Sequence, residues 1–452
     1  MRESELLTRA ECREIFDCAH SAARSLGVPD IEVTLSATDA ALTRFANNEI
    51  HQNVAERRRS LSVRAVIGRR TARAGTNRLD PAAIARVVGE AVALTRASEP
   101  DPEVLPLAEP EVVREVDRFD SATAASSPED RARSVAEAIG IVQAAGQTAA
   151  GIYSAAQSAE AVLNSRGVFA YYPETLAQFS ITAIGPDSSG WAKASAPGAG
   201  GIDPLALARR ASTKATLSRE PREVAPGRYT VVLEAPAVQD LVGQMFCDFS
   251  ATALRDQRSF LTGRLGKQVF GAGINISDDV YHPLQTGAPF DGEGVGRRRL
   301  ALVENGVPRE VAWSRAAALR EHVQPTGHGF PVPNEDGEAP LNVVMEGGFR
   351  TLEEIIASTP RGILVTRLWY IREVDPFEKI MTGMTRDGTF LIEDGEIVCG
   401  LRNFRFNQSL IPLLNQVEEA TPAERSSGEE SFDMVVPALR VRDFQFTEVT
   451  RF

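Results

Sequence analysis

Asp80-Pro81-Ala82-Ala83-Ile84-Ala85-Arg86 and Asp203-Pro204-Leu205-Ala206-Leu207-Ala208-Arg209 follow one pattern. In each, an aspartate stands where its carboxylate can accept the free N–H groups of a first helical turn. A proline follows at the first helical position, where its fixed φ fits and its missing N–H costs nothing. Both helices run into Glu-Pro, at Glu99-Pro100 and Glu220-Pro221. Upstream of the first, Thr8 and Glu11 form a capping box for a helix over 9–25, with Ile15, Cys18, Ala19 and Ala22 at helical spacing. Strand-like segments follow at 31–35, 42–45, 60–66 and 71–74, the last two joined by a turn at Ile67-Gly68-Arg69. Upstream of the second, Ser127-Pro128-Glu129-Asp130 opens a helix that Gly146 ends, and strand-like segments lie at 149–154, 159–163, 169–172 and 178–184. The order predicts two copies of a helix–sheet–helix unit, over 1–100 and 127–222, joined by a Pro-, Asp- and Glu-rich linker over 101–126.

The remaining half, 223–452, is punctuated differently. A strong strand at 229–233 precedes a helix expected from Pro236 to about Leu254. Further strands are expected at 300–304, 362–371, 389–393 and 396–399, with turn signals at Asn305-Gly306, Asp387-Gly388 and Asp394-Gly395. The polar segment 423–431 reads as a mobile loop. The fold class is therefore α+β, with a repeated N-terminal half and a C-terminal half rich in antiparallel strands.

Composition narrows the function. Hydrophobic residues make up 43% and charged residues 24% of 452, ordinary for a folded chain able to bury a core without disulfides. The net charge of -12 weighs against nucleic acid, whose phosphates need a basic surface. Cys12, Cys18, Cys247 and Cys399 show no metal or redox spacing. No signal sequence and no apolar run of about 18 residues is visible, so the expectation is a cytoplasmic protein with no membrane span.

Two stretches of the C-terminal half carry a resemblance. Phe290-Asp291-Gly292-Glu293-Gly294 is followed by Leu302-Val303-Glu304-Asn305-Gly306-Val307. Later comes Thr382-Gly383-Met384-Thr385-Arg386-Asp387-Gly388-Thr389-Phe390-Leu391-Ile392-Glu393-Asp394-Gly395. Both resemble signatures of the TldD/PmbA metallopeptidase family, and Arg44-Phe45-Ala46-Asn47-Asn48-Glu49-Ile50-His51-Gln52-Asn53 is similar to the family's first domain. The resemblance spans nearly the whole chain. It implies a system in which catalytic subunits carry H-E-x-x-x-H on a helix after a strand. The two histidines hold zinc, the glutamate serves as general base, and a cysteine near the C-terminus adds a ligand. It also implies pairing of a subunit that has the motif with one that lacks it, acting on unfolded peptides and on ribosomally made peptide precursors.

On that pattern the window after the 229–233 strand is Gln239-Asp240-Leu241-Val242-Gly243-Gln244, with the family's glycine at Gly243. Gln239 and Gln244 replace the histidines, Asp240 replaces the glutamate, and Ser427-Gly428-Glu429-Glu430-Ser431 offers no cysteine. A neutral amide oxygen is a poor zinc ligand beside imidazole. On a regular helix the two side chains also stand about 140° apart. The expectation is no metal and no cofactor of the chain's own, zinc belonging only to a partner subunit. Asp240 alone reads as a solvated helix residue and Cys247 as a packed thiol. His282, His322 and His328 read as solvated loop residues and His51 as structural. Gly292-x-Gly294-x-Gly296 reads as a turn. Val238, Leu241, Val242 and Met245 recur at core spacing and should hold the helix without metal.

The resemblance and the altered window together lead to a non-catalytic, substrate-positioning subunit, inactive alone. Its partners would be a motif-bearing TldD-like homologue, in a heterodimer, and an extended peptide, with neither nucleic acid nor membrane. Two alternatives stand beside it: an active peptide hydrolase with a non-standard site, and a homodimeric binding protein.

Overall fold

The computed structural model describes residues 6–450. In the N-terminal half the order is α1 (Arg9–Ser25), β1 (Ile31–Ala46), β2 (Glu49–Ile67), β3 (Arg70–Thr76), α2 (Pro81–Ala97), α3 (Ser121–Ala124), α4 (Pro128–Ala144), β4 (Thr148–Asn164), β5 (Phe169–Ile184), β6 (Ser189–Ala196) and α5 (Pro204–Leu217). The N-caps form as their residues dictate. Thr8 and Glu11 make a reciprocal box, as do Ser127 and Asp130, while Asp80 accepts from Ala83 N at 3.0 Å and Asp203 from Leu205 N at 3.0 Å.

The six strands make one antiparallel sheet, ordered β3-β2-β1-β4-β5-β6, with β1 and β4 at its centre. Odd-numbered strand residues such as Val33, Leu61, Ala161 and Phe179 are buried among apolar side chains of the four long helices. The helices thus cover one face, and the even-numbered residues turn to the other. The separate segments expected at 31–35 and 42–45 are one strand, and so are 149–154 and 159–163. Side-chain alternation fades in the polar middle of each. Ladder pairing of β1 with both β2 and β4, continuous over residues 32–44, carries the backbone through Thr38-Asp39 regardless.

The C-terminal half contains β7 (Gly227–Leu233), α6 (Ala235–Val242), α7 (Ala251–Arg255), β8 (Ile276–Asp278), β9 (Leu300–Glu304), β10 (Val307–Pro308), α8 (Arg315–Arg320), β11 (Val343–Met345), α9 (Leu352–Ala357), β12 (Arg361–Asp375), β13 (Ile380–Glu393), β14 (Glu396–Gly400), β15 (Phe404–Ser409), α10 (Leu410–Asn415), β16 (Val417–Ala420), β17 (Glu424–Ser426), β18 (Met434–Val436) and β19 (Leu439–Val449). Strands β12-β7-β19-β15-β13 close into a ring through the β13–β12 pairing, around Phe404, Phe406, Phe444 and Phe446. A second sheet runs β10-β9-β8-β11-β18-β17. Most pairs are antiparallel, but β7–β12 and β11–β18 are parallel.

Three expectations here are corrected. The helix from Pro236 does not reach Leu254: α6 stops at Val242 and a 3-10 turn covers Gly243–Asp248. Val242 and Met245 stay buried because a three-residue repeat keeps them on one side. Asp387-Gly388 is an irregularity inside β13, not a turn between strands, and Arg367 holds the Asp387 carboxylate there. The 423–431 segment is not a mobile loop: it contains β17, buried Ser426 and Ser427, and contacts described below.

Candidate functional site

The β7 strand, buried at Val231, Val232 and Leu233, delivers the chain into α6, whose start is fixed by Glu234. Glu234 accepts from Lys214 Nζ of α5 at 2.7 Å and from Thr366 Oγ1 at 3.1 Å, tying the helix to both halves. Gln239 and Asp240 are both 0% exposed, so Asp240 is not the solvated residue expected. What covers it is the segment 427–432 from the far end of the chain.

The contacts are specific. Asp240 Oδ1 accepts from Glu430 N at 3.0 Å and Glu429 N at 3.2 Å. Gln239 Nε2 donates to Phe432 O at 2.7 Å, and Gln244 Nε2 donates to Glu430 O at 3.3 Å and Asp240 O at 3.2 Å. Because the helix breaks after Val242, the angle expected on a regular helix does not apply, and both glutamines reach the same segment. Gly243 and Gly428 allow the closeness. A Cβ on Gly243 would lie 1.8 Å from Ser431 Oγ, and one on Gly428 would lie 2.2 Å from Asp240 Oδ1. Burial pushes the Asp240 carboxyl up to about 7, against the two N–H donors that favour its charge.

These three side chains do not fit a zinc ion. The set holds no imidazole, both amides are engaged with loop carbonyls, and main chain packs on the one carboxylate. The remaining candidates are dispersed. His328 is buried, contrary to expectation, with Nε2 3.0 Å from Asp278 Oδ1 and Nδ1 2.9 Å from Thr326 Oγ1. Cys247, expected to be packed, is exposed because the 3-10 turn rotates it outward. His51 is exposed on β2. Among the described residues no cluster of His, Cys, Asp and Glu is arranged as a metal site.

Beside the covering segment lies a cleft of about 660 Å³. One wall is the helix-free face of the N-terminal sheet, at Thr34, Ser36, Glu160 and Gln178, and the opposite wall includes Gln285, Phe432 and Asp433. Asp433 is fixed by Arg425 at 2.8 Å, Ser195 Oγ at 2.7 Å and Ser427 Oγ at 2.8 Å. Asp291, within the first signature, accepts from the N–H groups of Glu293, Val295 and Gly329 at 2.9–3.0 Å, and burial pushes its carboxyl up to about 7. It shapes a turn, as the glycine run suggested. Sequence reasoning missed Arg425 and Asp433 and gave Glu429 and Glu430 no role of their own, although the resemblance set 427–431 where the family's cysteine ligand falls.

The whole chain can be placed among known proteins. A metalloprotease of Methanothermobacter thermautotrophicus is 25% identical over 280 residues, 58% of this chain and 60% of that protein, so less than two thirds of its length is matched. Metalloprotease PmbA of Escherichia coli O157:H7 is 24% identical over 349 residues, 72% of each. The fold is shared with the crystal structure of TldE from Thermococcus kodakarensis, at TM-score 0.87 and 20% identity, covering 96% of this chain and all of that one. No helix among the described residues is long and apolar enough to cross a membrane. Family models for the PmbA/TldA metallopeptidase domain 1, central domain and C-terminal domain match residues 32–95, 105–219 and 226–448. With all three domains present and in order, the chain belongs to the PmbA/TldD metallopeptidase family.

Proposed function

We propose that this chain is a non-catalytic, substrate-positioning subunit of a PmbA/TldD-type metallopeptidase complex that acts on unfolded peptides or peptide precursors. The observation that carries the reading is the closed state of the Gln239–Asp240–Gln244 window: its only carboxylate is covered by the chain's own main chain. Zinc and the general base would come from a motif-bearing homologous subunit in a cytoplasmic heterodimer.

Substrate positioning is supported by the sheet edge. Among the described residues β3 pairs with β2 at residues 61–67, and β2 residues 49–56 have a ladder partner on one side, β1. Their backbone groups suit an extended peptide of any sequence, because strand addition uses main-chain hydrogen bonds. The corresponding stretch of β5, 169–176, is crossed by the linker, where Thr175 N donates to Arg118 O at 3.1 Å. The element orders α1-β1-β2-β3-α2 and α4-β4-β5-β6-α5 also support reading the N-terminal half as two copies of one unit.

The test is reconstitution. Alone, the chain should leave an unfolded test peptide intact. With a motif-bearing homologue it should raise cleavage well above that homologue's own rate. Cleavage by this chain alone, absent from a Gln239→Ala/Asp240→Ala control, would overturn the proposal.

A further inference from the structure

A second cleft, of about 740 Å³, opens where the β5–β6 turn and the end of α5 meet strands β12 and β13 of the ring. Part of its wall, from Met384 to Thr389, belongs to the second of the two signature stretches. Arg386, Arg402 and Arg405 stand in its wall. Among the described residues their nearest carboxylates are Asp387 at 3.6 Å, Glu223 at 3.2 Å and Glu448 at 3.9 Å, all without a well-formed hydrogen bond. The three side chains are 45–47% exposed, so these loose pairs satisfy little of the guanidinium donor capacity.

The carboxylates of the cleft do not cancel that charge. Asp387 is already neutralised by buried Arg367, and it accepts from Ser189 Oγ at 2.7 Å. Asp187 keeps its charge while accepting the main-chain N–H of Glu220 at 2.9 Å, so the lining sets three guanidiniums against that one carboxylate. A basic recess therefore persists in a chain of net charge -12. Two hydroxyls add to it. Ser188 and Ser218 line the cleft, and among the described residues their buried Oγ atoms have no hydrogen-bond partner; Ser218 as a residue is only 8% exposed. A buried hydroxyl with nothing to bond is costly, and its usual resolution is a ligand oxygen or a bound water.

We infer that this cleft binds a small multivalent oxyanion, held by Arg386, Arg402 and Arg405 with Ser188 and Ser218 as neutral donors. Guanidinium forks match the paired oxygens of phosphate and carboxylate alike. Trp369 makes the basic wall rigid, since Arg386 stacks on it at 4.8 Å and Arg367 at 5.5 Å. The site is independent of the peptide-positioning role.

The test is titration calorimetry on the full chain with inorganic pyrophosphate and, separately, citrate. The two arms distinguish a phosphate-selective from a carboxylate-selective site, and either result supports the inference. Saturable binding of one anion per chain is expected. Arg386→Gln with Arg405→Gln should weaken it at least tenfold, and Ser218→Ala about threefold. Arg298→Gln with Arg299→Gln, a second exposed arginine group, should leave it unchanged. Should the double variant melt early, Arg402→Gln alone is the substitute, with a fivefold loss expected. Absence of saturable binding by both anions, or equal weakening by the two arginine pairs, overturns the inference.

Discussion

The carboxylate of Asp240 accepts the main-chain N–H of Glu430 at 3.0 Å. The Glu430 carboxylate reaches the other way, accepting from Tyr370 N at 2.8 Å and Ile371 N at 3.2 Å. One residue near the C-terminus thereby joins α6 to β12 across the position that the family resemblance assigns to catalysis. The arrangement is closed by the N-terminal sheet, where Lys193 Nζ donates to Gly428 O at 2.8 Å.

Asp240→Asn should reduce the pH dependence of stability. Burial holds the Asp240 carboxyl up to about 7 against an ordinary 3.8, so the folded state favours the neutral acid. That contribution is fully present at pH below the unfolded value and is lost as pH rises through about 7. Its full span is on the order of 4 kcal/mol. The amide cannot ionise, and its oxygen can still take both loop N–H groups. Melting temperature between pH 5 and 8 should fall less steeply in the variant than in the wild type, and the variant should be the more stable at pH 8. Asp291, also raised to about 7, leaves part of the slope in place. Parallel melting curves would show that Asp240 does not titrate in this range.

Gly428→Ala should open the covering segment. The added Cβ would stand 2.2 Å from Asp240 Oδ1, and the carboxylate, already bonded to two N–H groups, has no room to yield. The cost of such overpacking is about 1–3 kcal/mol. A protease that cuts after glutamate should then cleave at Glu429 or Glu430 in the variant at a temperature where the wild type stays whole. An equal cleavage rate in the two proteins would show that the segment already opens freely.

Helix starts were readable from sequence because caps are local: Thr8 needs only Glu11, and Asp80 only Ala83. Strand lengths were not, since Thr38-Asp39 stays extended through its neighbours and not through its own side chains. The same distinction holds at the candidate site. The Gln239–Gln244 window could be located by its place after β7. Its partners Glu429, Glu430 and Phe432 belong to a segment whose polarity suggested a free loop; the resemblance related 427–431 to the window, but the main-chain contacts onto α6 come from the fold. The break at Gly243 was likewise hidden, because buried Leu241, Val242 and Met245 satisfy helix and 3-10 spacing alike.

Glu293→Gln should loosen the two halves of the molecule. Arg64, 1% exposed, lies with Nη1 3.6 Å from Glu32 and 3.5 Å from Glu293, and Glu293 also accepts from Arg315 Nη1 at 2.8 Å. Glu32 in turn takes Arg73 at 2.5 Å. The group spans the boundary between the N-terminal sheet and the C-terminal half. Removing one charge leaves buried Arg64 undercompensated, at a cost of about 3–5 kcal/mol. Urea unfolding should shift to lower midpoint and separate into two steps. A change below about 1 kcal/mol would mean that water already screens the cluster.

Gln239→His with Gln244→His should not create a zinc protein. The two amides now hold the covering segment, Gln239 through Phe432 O at 2.7 Å and Gln244 through Glu430 O at 3.3 Å. Gln239 Oε1 has no hydrogen-bond partner among the described residues, so the bond through Nε2 is what orients that buried side chain. Imidazoles would forfeit these contacts, each worth about 1 kcal/mol, without removing the main chain of Glu429 and Glu430 from Asp240. The double variant should therefore melt earlier and, after mild dialysis, retain far less than one zinc per chain by elemental analysis. Adding Asp240→Glu should not restore hydrolysis, because a third ligand is still missing and the longer side chain meets Gly428. The unmodified protein provides the reference, with no zinc expected and a melting temperature indifferent to chelator. About one zinc per chain in the wild type, together with a chelator-induced drop in melting temperature, would overturn the metal-free reading. Stoichiometric zinc in the variant alone would show instead that the segment 427–432 yields readily, and that the Gln239 and Gln244 contacts are what keep it in place.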